Sequence, residues 1–383
     1  MKITDVRVSI HRYIPPQTVG WPREAKLGIL TIDTSEGISG HNFLFDVMPI
    51  GPGVEALAQQ IMRVVKPRLL GRNPLDIGAI WHELRSLSRS LERAVQGYVD
   101  VTLWDIAGKV AGLPVHRMLG TCREKIPVYA SSWMLPDADA YVEEALAYKS
   151  MGIPAYKLHP PSAATFLTGV PAAPVRKDIE ACAAVRNAVG DEMILMLDAT
   201  WQYNYANALR VGLAIQDLDY YWYEDPLKAD DIYGYMRLKE KLSIPLMATE
   251  ATDGGLHVYP SWILLQATDF LRGDVVIKGG ITGMMKIAHL AEAFGLPCEL
   301  HDAYNPTNAV ASLNVAMAIR NCEYFEALVV NEPGKFGFDF LSYGLETPFR
   351  PDAEGFVHAP TAPGIGCQID WALLKATKLG ESS

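Results

Sequence analysis

The pattern of apolar and polar positions in the first third of the chain predicts a small sheet followed by helices. Three runs that are apolar, or that alternate between apolar and polar residues, come first: residues 2 to 10, 26 to 33 and 38 to 45. The turn SEGISG separates the last two runs, which is typical of an antiparallel sheet. From about Val54 to Leu119 the apolar residues recur at helical spacing. We therefore expect residues 1 to 124 to form an α+β unit.

From about Lys125 the pattern changes to short apolar runs separated by amphipathic helical stretches. Eight such runs follow one another: KIPVYAS, PAYKLH, MILMLDA, YYWYEDP, IPLMATE, DFLRGDVVI, LPCELHD and CEYFEAL. Eight strands that alternate with helices are typical of a (β/α)8 barrel. The sequence thus predicts a (β/α)8-type barrel over residues 125 to 328, with Asp274 on its sixth strand.

Two glycine-containing stretches, PGKFGFDFLSYG and APGIGCQIDW, follow the predicted barrel. We interpret residues 329 to 383 as a segment that returns to the N-terminal unit. The predicted fold class is therefore α/β: a barrel with an α+β capping domain formed by the N-terminal region and the C-terminal segment.

Charge and hydropathy exclude several classes of partner. The net charge is -10 and the pI is about 5.4, so no basic surface is expected for nucleic acid. No apolar run approaches the ~18 residues of a membrane span. Asp5 and Arg7 interrupt the start of the chain, where a signal peptide needs an apolar core. We expect a cytoplasmic protein.

Three acids follow three successive predicted strands at equal spacing. Asp198 and Glu224 are 26 residues apart, as are Glu224 and Glu250, so all three should lie at the same height in the barrel. Carboxylates that converge in this way need a cation among them, and an all-oxygen set suits Mg²⁺ better than zinc. The alternative is that each acid ends its strand in solvent or binds a loop amide.

Candidate proton-transfer groups lie on other strands of the same barrel. His301 ends the seventh predicted strand, and Asp274 on the sixth is placed to accept a hydrogen bond from its ring. Lys157 and His159, two residues apart, should point to the same side of the second strand. His301 could instead be a core histidine paired with Asp274, and His159 a surface histidine before a proline turn. Lys278 could reach the site or cover the outside of the barrel.

Three tryptophans could line the same pocket or simply pack in the core: Trp21, Trp133 and Trp201. Packing is the more frequent role of tryptophan.

With these residues in view, the chain resembles the enolase superfamily, in particular its mandelate racemase and muconate lactonizing enzyme branch. The resemblance rests on YVDVTLWDIAGKVAGLPVHRMLG, the three spaced acids, GDVVIKGGITG and PGIGCQIDW, and it spans nearly the whole chain. It implies that Asp198, Glu224 and Glu250 bind Mg²⁺ and that Asp274 and His301 form a catalytic dyad. By the same resemblance, Glu326 lies near the substrate carboxylate, and Mg²⁺ stabilises an ene-diolate.

The chain departs from this family at two positions. Family members commonly carry lysine at both polar positions of the second-strand motif, whereas this chain has Lys157 and then His159. Thr200 stands where many relatives have asparagine or histidine. We therefore expect Lys157 to hold the substrate carboxylate with Mg²⁺, His301 to abstract the α-proton, and His159 to act as the acid.

The resemblance implies abstraction of a proton next to the carboxylate of a small molecule. The favoured reaction is dehydration of a sugar acid to a 2-keto-3-deoxy acid by a hydro-lyase. A racemase or epimerase of a 2-hydroxy acid, or an inactive homologue that only binds metal, is the alternative. Neither nucleic acid nor membrane is expected as a partner, and the family implies a homo-oligomer.

Overall fold

The computed structural model describes residues 1–16, 24–45, 53–165, 174–302 and 305–382. A four-stranded antiparallel sheet begins the chain. Its strands are β1 (Ile3–Tyr13), β2 (Ala25–Thr34), β3 (Ser39–Phe45) and, from the C-terminal segment, β13 (Lys378–Ser382). They lie in the order β13-β1-β2-β3. Alternating apolar side chains such as Val6 and Val8 are fully buried, as the period-two pattern predicts.

Among the described residues, five helices and a short π-helical segment, Ile61–Val65, follow the sheet. The helices are α1 (Val54–Gln60), α2 (Lys66–Leu69), α3 (Ile77–Ser86), α4 (Arg93–Ala111) and α5 (Val115–Leu119). The longest, α4, ends at Gly112, whose left-handed conformation (φ 66°) suits glycine at a helix C-terminus.

Eight parallel strands form a closed barrel because the last strand pairs with the first. They are β4 (Lys125–Ser132), β5 (Ala155–Leu158), β6 (Ile194–Asp198), β7 (Tyr223–Glu224), β8 (Leu246–Ala248), β9 (Phe270–Gly273), β10 (Cys298–Leu300) and β11 (Phe325–Val329). Helices between them include α6 (Ala138–Ser150), α7 (Val175–Val189), α8 (Tyr205–Asp217), α9 (Ile232–Lys239), α10 (Tyr259–Leu264), α11 (Gly280–Ala293) and α12 (Pro306–Ala318). The predicted barrel with an N-terminal cap is confirmed.

The sixth barrel strand is shorter than the sequence predicts. The apolar run DFLRGDVVI predicts a strand that includes Asp274, but β9 ends at Gly273. Asp274 Oδ1 accepts hydrogen bonds from the backbone N–H groups of Val276 (2.6 Å) and Ile277 (2.8 Å). These bonds turn the chain away from the sheet, so Asp274 lies just beyond the strand.

Inward-facing residues of the barrel form an apolar layer beneath a charged one. Four apolar residues precede a charged residue by two positions on the same strand, namely Ala155, Met196, Trp222 and Phe270 before Lys157, Asp198, Glu224 and Arg272. Side chains at i and i+2 of a strand share a face. The apolar layer packs into one buried cluster, so the charged layer lies directly above apolar side chains.

The C-terminal segment contacts both parts of the molecule. Strand β12 (Phe356–His358) pairs antiparallel with β4, and α13 (Trp371–Thr377) leads into β13, which pairs with β1. Leu374 of α13 is fully buried against Leu27 and Ile29 of the N-terminal sheet.

In the described ranges, no helix combines the length and apolar character needed to span a bilayer. The five cysteine thiols are free: three are buried, Cys367 is half-buried and Cys122 is exposed.

Candidate active site

The charged layer collects residues from seven barrel strands, most of them near the carboxyl ends of those strands. Strands or the turns that follow them supply Lys157 and His159 (β5), Asp198 (β6), Glu224 (β7), Glu250 (β8), Asp274 (β9), His301 (β10) and Glu326 (β11). All but His159 are buried. The structure therefore brings together all eight site residues predicted from the sequence, although Glu326 lies within its strand rather than at the end.

Three carboxylates offer oxygens that lie within 4.8 Å of one another, and they belong to Glu224, Asp225 and Glu250. Asp225 Oδ2 is buried and accepts no hydrogen bond from the described residues, whereas Glu224 Oε1 is paired with Arg272 Nε. A buried carboxylate oxygen without a partner is costly unless a cation is bound there. An all-oxygen donor set fits a hard divalent ion such as Mg²⁺.

Asp225 was not predicted from the sequence to belong to this group. On a regular strand the residue after Glu224 would point away from the barrel interior. Asp225 instead has a positive φ of 41°, and Tyr235 donates a hydrogen bond to its Oδ1 at 3.2 Å. The adjacent acids in YEDP, at the end of a strand, were the available signal. Burial, followed by the charges of Glu250 and Asp198, raises the pKa of Asp225 well above its ordinary value.

Asp198 lies beside this group but is occupied by other partners. Its Oδ2 is 3.0 Å from His159 Nε2 and 3.3 Å from Lys157 Nζ, and its Oδ1 accepts the backbone N–H of Thr200 at 2.8 Å. Burial alone would raise the pKa of Asp198, but the charges of Lys157 and His159 outweigh it and lower the pKa. The Thr200 hydroxyl donates to the Ala199 carbonyl, so only the threonine backbone contacts Asp198.

Lys157 has no exposed surface, and its ammonium group is shared by acids. Nζ lies 2.8 Å from Glu224 Oε2 and 2.8 Å from Glu326 Oε1. Burial and Arg272 act to lower the pKa of Lys157, but Glu224 and Glu326 raise it well above the ordinary value. Lys157 therefore stays charged, and its ammonium group faces the carboxylates of Glu224 and Glu326.

His159 is held by two oxygens on opposite sides of its ring. Nδ1 lies 2.5 Å from the carbonyl oxygen of Ser132, and Nε2 faces Asp198 Oδ2. Since carbonyl and carboxylate oxygens only accept hydrogen bonds, the doubly protonated ring satisfies both contacts. This geometry suits a residue that gives up a proton.

His301 and Asp274 form the predicted pair, with Nδ1 2.7 Å from Asp274 Oδ2. The two backbone N–H groups on Asp274 Oδ1 fix that carboxylate and, through it, the histidine ring. Burial lowers the pKa of His301, but Glu250 and Asp274 outweigh it and raise the pKa to about 9.

A small cavity at the mouth of the barrel connects the two histidines. Its lining consists of aromatic, apolar and charged side chains: Trp133, Met134, His159, Asp198, Thr200, Trp201, Glu250, His301, Asp302, Glu326 and Leu328. Trp133 and Trp201 therefore line the pocket, whereas Trp21 lies outside the described residues.

Lys278 lies in a different crevice, on the far side of Glu250. It lines that crevice together with Arg93 and Thr252, and its Nζ donates to the Thr252 carbonyl at 3.3 Å. Burial is the main cause that lowers the pKa of Lys278 to about 8. Lys278 is therefore not part of the lining that carries the histidines.

Arg272 is the second buried residue that the sequence analysis missed. Its guanidinium group has no exposed surface and pairs with Glu224, Glu250 and Glu326. Opposing charge from these acids overcomes the effect of burial and raises the pKa of Arg272. The sequence feature that indicates an inward-facing charge is the arginine that follows the apolar residues Phe270 and Leu271 in this strand.

Two family models together match most of the chain. Residues 2–120 match the mandelate racemase / muconate lactonizing enzyme N-terminal domain, and residues 140–373 match the enolase C-terminal domain-like family.

Curated relatives are sugar acid dehydratases and racemases. D-gluconate dehydratase of Thermoproteus tenax is 27% identical, over 91% of this chain and 69% of that enzyme. L-talarate/galactarate dehydratase of Salmonella typhimurium is 31% identical, over 73% of this chain and 68% of that enzyme. N-succinyl-L-Arg/Lys racemase of Bacillus cereus is 26% identical, over 89% and 87%.

A crystal structure of D-glucarate dehydratase from Agrobacterium tumefaciens, complexed with magnesium, superposes with a TM-score of 0.86. It is 31% identical in sequence and covers 99% of this chain and 100% of that one. The resemblance noted in the sequence is thus confirmed: the chain belongs to the enolase superfamily and has the N-terminal domain of the mandelate racemase and muconate lactonizing enzyme family.

Proposed function

We propose that the protein is a Mg²⁺-dependent hydro-lyase that dehydrates a small sugar acid to a 2-keto-3-deoxy acid. The observation that carries this proposal is that two histidines with different partners line one cavity. His301, oriented by Asp274, is placed to take a proton, and His159, between two acceptor oxygens, is placed to deliver one. Elimination of water needs one group of each kind.

Glu224, Asp225 and Glu250, together with the adjacent Asp198, form the acid cluster, which is the proposed site of Mg²⁺. Glu224 and Glu250 belong both to the set predicted from the sequence and to the group of converging oxygens. Asp198 or Asp225 supplies the third carboxylate. When bound, Mg²⁺ would withdraw negative charge from the substrate carboxylate and so make the neighbouring C–H bond more acidic.

The remaining residues of the site bind and orient the substrate. Glu326 lines the cavity. Lys157 lies behind it, with Nζ 2.8 Å from Glu326 Oε1. Lys157 was expected to hold the substrate carboxylate, but it is absent from the lining of the cavity, and three acids already share its ammonium group. We propose instead that Lys157 balances the charge of these acids beneath the cavity. Trp133 and Trp201 form the aromatic part of the lining and would exclude water from the reacting carbon.

Relatives support dehydration over the alternatives. The dehydratases named above act, by their names, on gluconate, talarate, galactarate and glucarate. The racemase relative keeps the second candidate open, since racemisation also needs a proton donor and a proton acceptor at one carbon.

Incubation of the protein with a sugar acid library and Mg²⁺ in D₂O tests the proposal. A semicarbazide-reactive 2-keto product, lost after chelation with EDTA, is the expected result. Deuterium incorporation without a keto product would favour a racemase or epimerase. Mg²⁺ binding with no exchange of any α-proton would favour an inactive homologue.

The third metal ligand is identified by comparing two variants. Asp198→Asn and Asp225→Asn each remove one carboxylate, and isothermal titration with MgCl₂ shows which of them weakens binding more. If both bind Mg²⁺ as tightly as the wild type, the acid cluster is not the metal site.

A further inference from the structure

Arg272 pairs with three acids of the barrel interior. Among the described cations there, only Lys157 also pairs with three. The Nε of Arg272 donates to Glu250 Oε2 at 3.1 Å and also pairs with Glu224, and its Nη2 donates to Glu326. These acids come from β7, from the turn after β8, and from β11. One planar group therefore holds side chains from three separate parts of the barrel wall.

Arg272 cannot itself touch a substrate in this arrangement. Its side chain has no exposed surface, and it is absent from the lining of the cavity that carries the histidines. Glu250 and Glu326, which do line the cavity, stand between the guanidinium group and any ligand. Whatever Arg272 does for the reaction, it does through these two acids.

The backbone of Arg272 is tied to the same place. Its N–H donates to Thr249 Oγ1 at 3.0 Å, and the Thr249 hydroxyl donates back to its carbonyl at 3.2 Å. Thr249 has a positive φ of 85° and directly precedes Glu250. Arg272 thus fixes Glu250 twice, once at the carboxylate and once at the chain bend that aims it.

The guanidinium group is in turn oriented by neighbours. Nη1 donates to the Tyr129 hydroxyl at 3.2 Å and lies 3.4 Å from the Leu300 carbonyl. A guanidinium group presents its donors in a fixed plane, so these contacts set the directions in which it can hold the acids.

We propose that Arg272 is a positioning residue that holds Glu224, Glu250 and Glu326 in the arrangement that receives Mg²⁺ and the substrate carboxylate. Without it, the three acids would repel one another and turn apart, and each would lose a charge-assisted hydrogen bond or ion pair. This inference rests on the proposed function, because it assigns the arrangement to metal binding.

Arg272→Lys tests the fork geometry, since lysine keeps the charge but not the planar set of donors. The dissociation constant for Mg²⁺, from titration calorimetry with MgCl₂, should rise about 10-fold, as is typical for residues that orient metal ligands. The rise in Tm on adding saturating MgCl₂ should shrink in parallel.

Glu299→Gln is the matched control. Glu299 pairs in register with Arg272 and is equally buried. Its carboxylate accepts hydrogen bonds from the backbone N–H groups of Glu323 and Tyr324 and contacts none of the three acids that Arg272 holds. This variant should lower Tm without changing the affinity for Mg²⁺. A role for Arg272 in stability alone would make the two variants behave alike.

Tyr129→Phe provides a second test if Arg272→Lys does not fold. It removes one hydrogen bond to Nη1 and leaves every acid in place, so the dissociation constant should rise roughly threefold. Unchanged or tighter Mg²⁺ binding in Arg272→Lys would overturn this inference but not the proposed function. If only Tyr129→Phe folds, the same result in that variant would have the same meaning. A wild-type protein that binds no Mg²⁺ would overturn the proposed function as well.

Discussion

Lys157 and His159 lie two residues apart on one face of the barrel, yet their surroundings give them different chemistry. Lys157 is fully buried among three acids, which hold its proton. His159 reaches the cavity and contacts a single acid, Asp198. The histidine at the second position thus places a titratable group at the cavity, while the lysine serves the charge balance beneath it.

His159→Asn should separate the two proton transfers. If His159 delivers the proton to the departing hydroxyl, keto product formation should fall by roughly 100- to 10,000-fold. Exchange of the α-proton with D₂O, which depends on His301, should persist and can be followed by NMR. Equal loss of both activities would argue against separate roles for the two histidines.

Asp274→Asn should move the pH dependence of the reaction. His301 must be neutral to accept a proton, so its raised pKa, about 9, predicts a kcat/KM that increases with pH and levels off above that pKa. Asp274 is one of the groups that raise the pKa. Its loss should shift the rising limb to lower pH, and the weaker hold on the ring should lower the plateau by roughly 100-fold.

A pH–rate profile of both proteins checks this expectation. A limb that stays at the same pH in Asp274→Asn would show that another group controls the rate.

At the scale of elements, the turn that carries Asp274 is supported by a helix of the cap. Gly97 of α4 lies against the backbone carbonyls of Val275 and Val276, just beyond Asp274. A Cβ at this position would lie 2.6 Å from the Val275 oxygen and closer still to that of Val276. The helix can approach the turn only because residue 97 has no side chain.

Gly97→Ala should therefore lower both stability and activity. Separating α4 from the turn should cost about 1–3 kcal/mol of unfolding free energy in urea denaturation, as other overpacked contacts do. It should also lower kcat by displacing Asp274.

Gly78→Ala is the matched control, because nothing lies within 4 Å of a Cβ built at this position in α3. It should raise the unfolding free energy by about 0.5 kcal/mol and leave kcat unchanged. A larger loss of unfolding free energy and kcat in Gly78→Ala than in Gly97→Ala would contradict this packing.

At the scale of the whole molecule, the C-terminal segment joins the N-terminal sheet. Leu374 is fully buried in the cluster that contains Tyr13, Leu27 and Ile29, and its carbonyl lies 2.8 Å from His11 Nδ1. The N-terminal sheet and the C-terminal segment are thereby held together, and both are remote in sequence from the acid cluster.

Leu374→Ala should cost about 2–5 kcal/mol of unfolding free energy because it leaves a cavity. Its neighbour Leu373 is 36% exposed, and Leu373→Ala should change the unfolding free energy by no more than about 0.5 kcal/mol. Both folded variants should bind Mg²⁺ like the wild type. Altered Mg²⁺ affinity in Leu374→Ala would show that the cap sheet also shapes the acid cluster.

By itself, the sequence determined the barrel and most members of its charged layer. Side-chain direction along a strand is a local property with a period of two, so the inward positions of Lys157, Asp198 and Glu224 follow from the apolar runs. The equal spacing of the acids follows from the length of one strand and helix unit.

Only the tertiary structure decided which charges meet and what state each one adopts. Asp225 joins the converging oxygens because its backbone leaves the strand geometry, and Arg272 gains its three acids from the way neighbouring strands are aligned. An ion pair depends on the distance between groups remote in sequence, and a pKa depends on all the charges and the burial around a group. Neither quantity is local, so neither can be read from the order of residues along one strand.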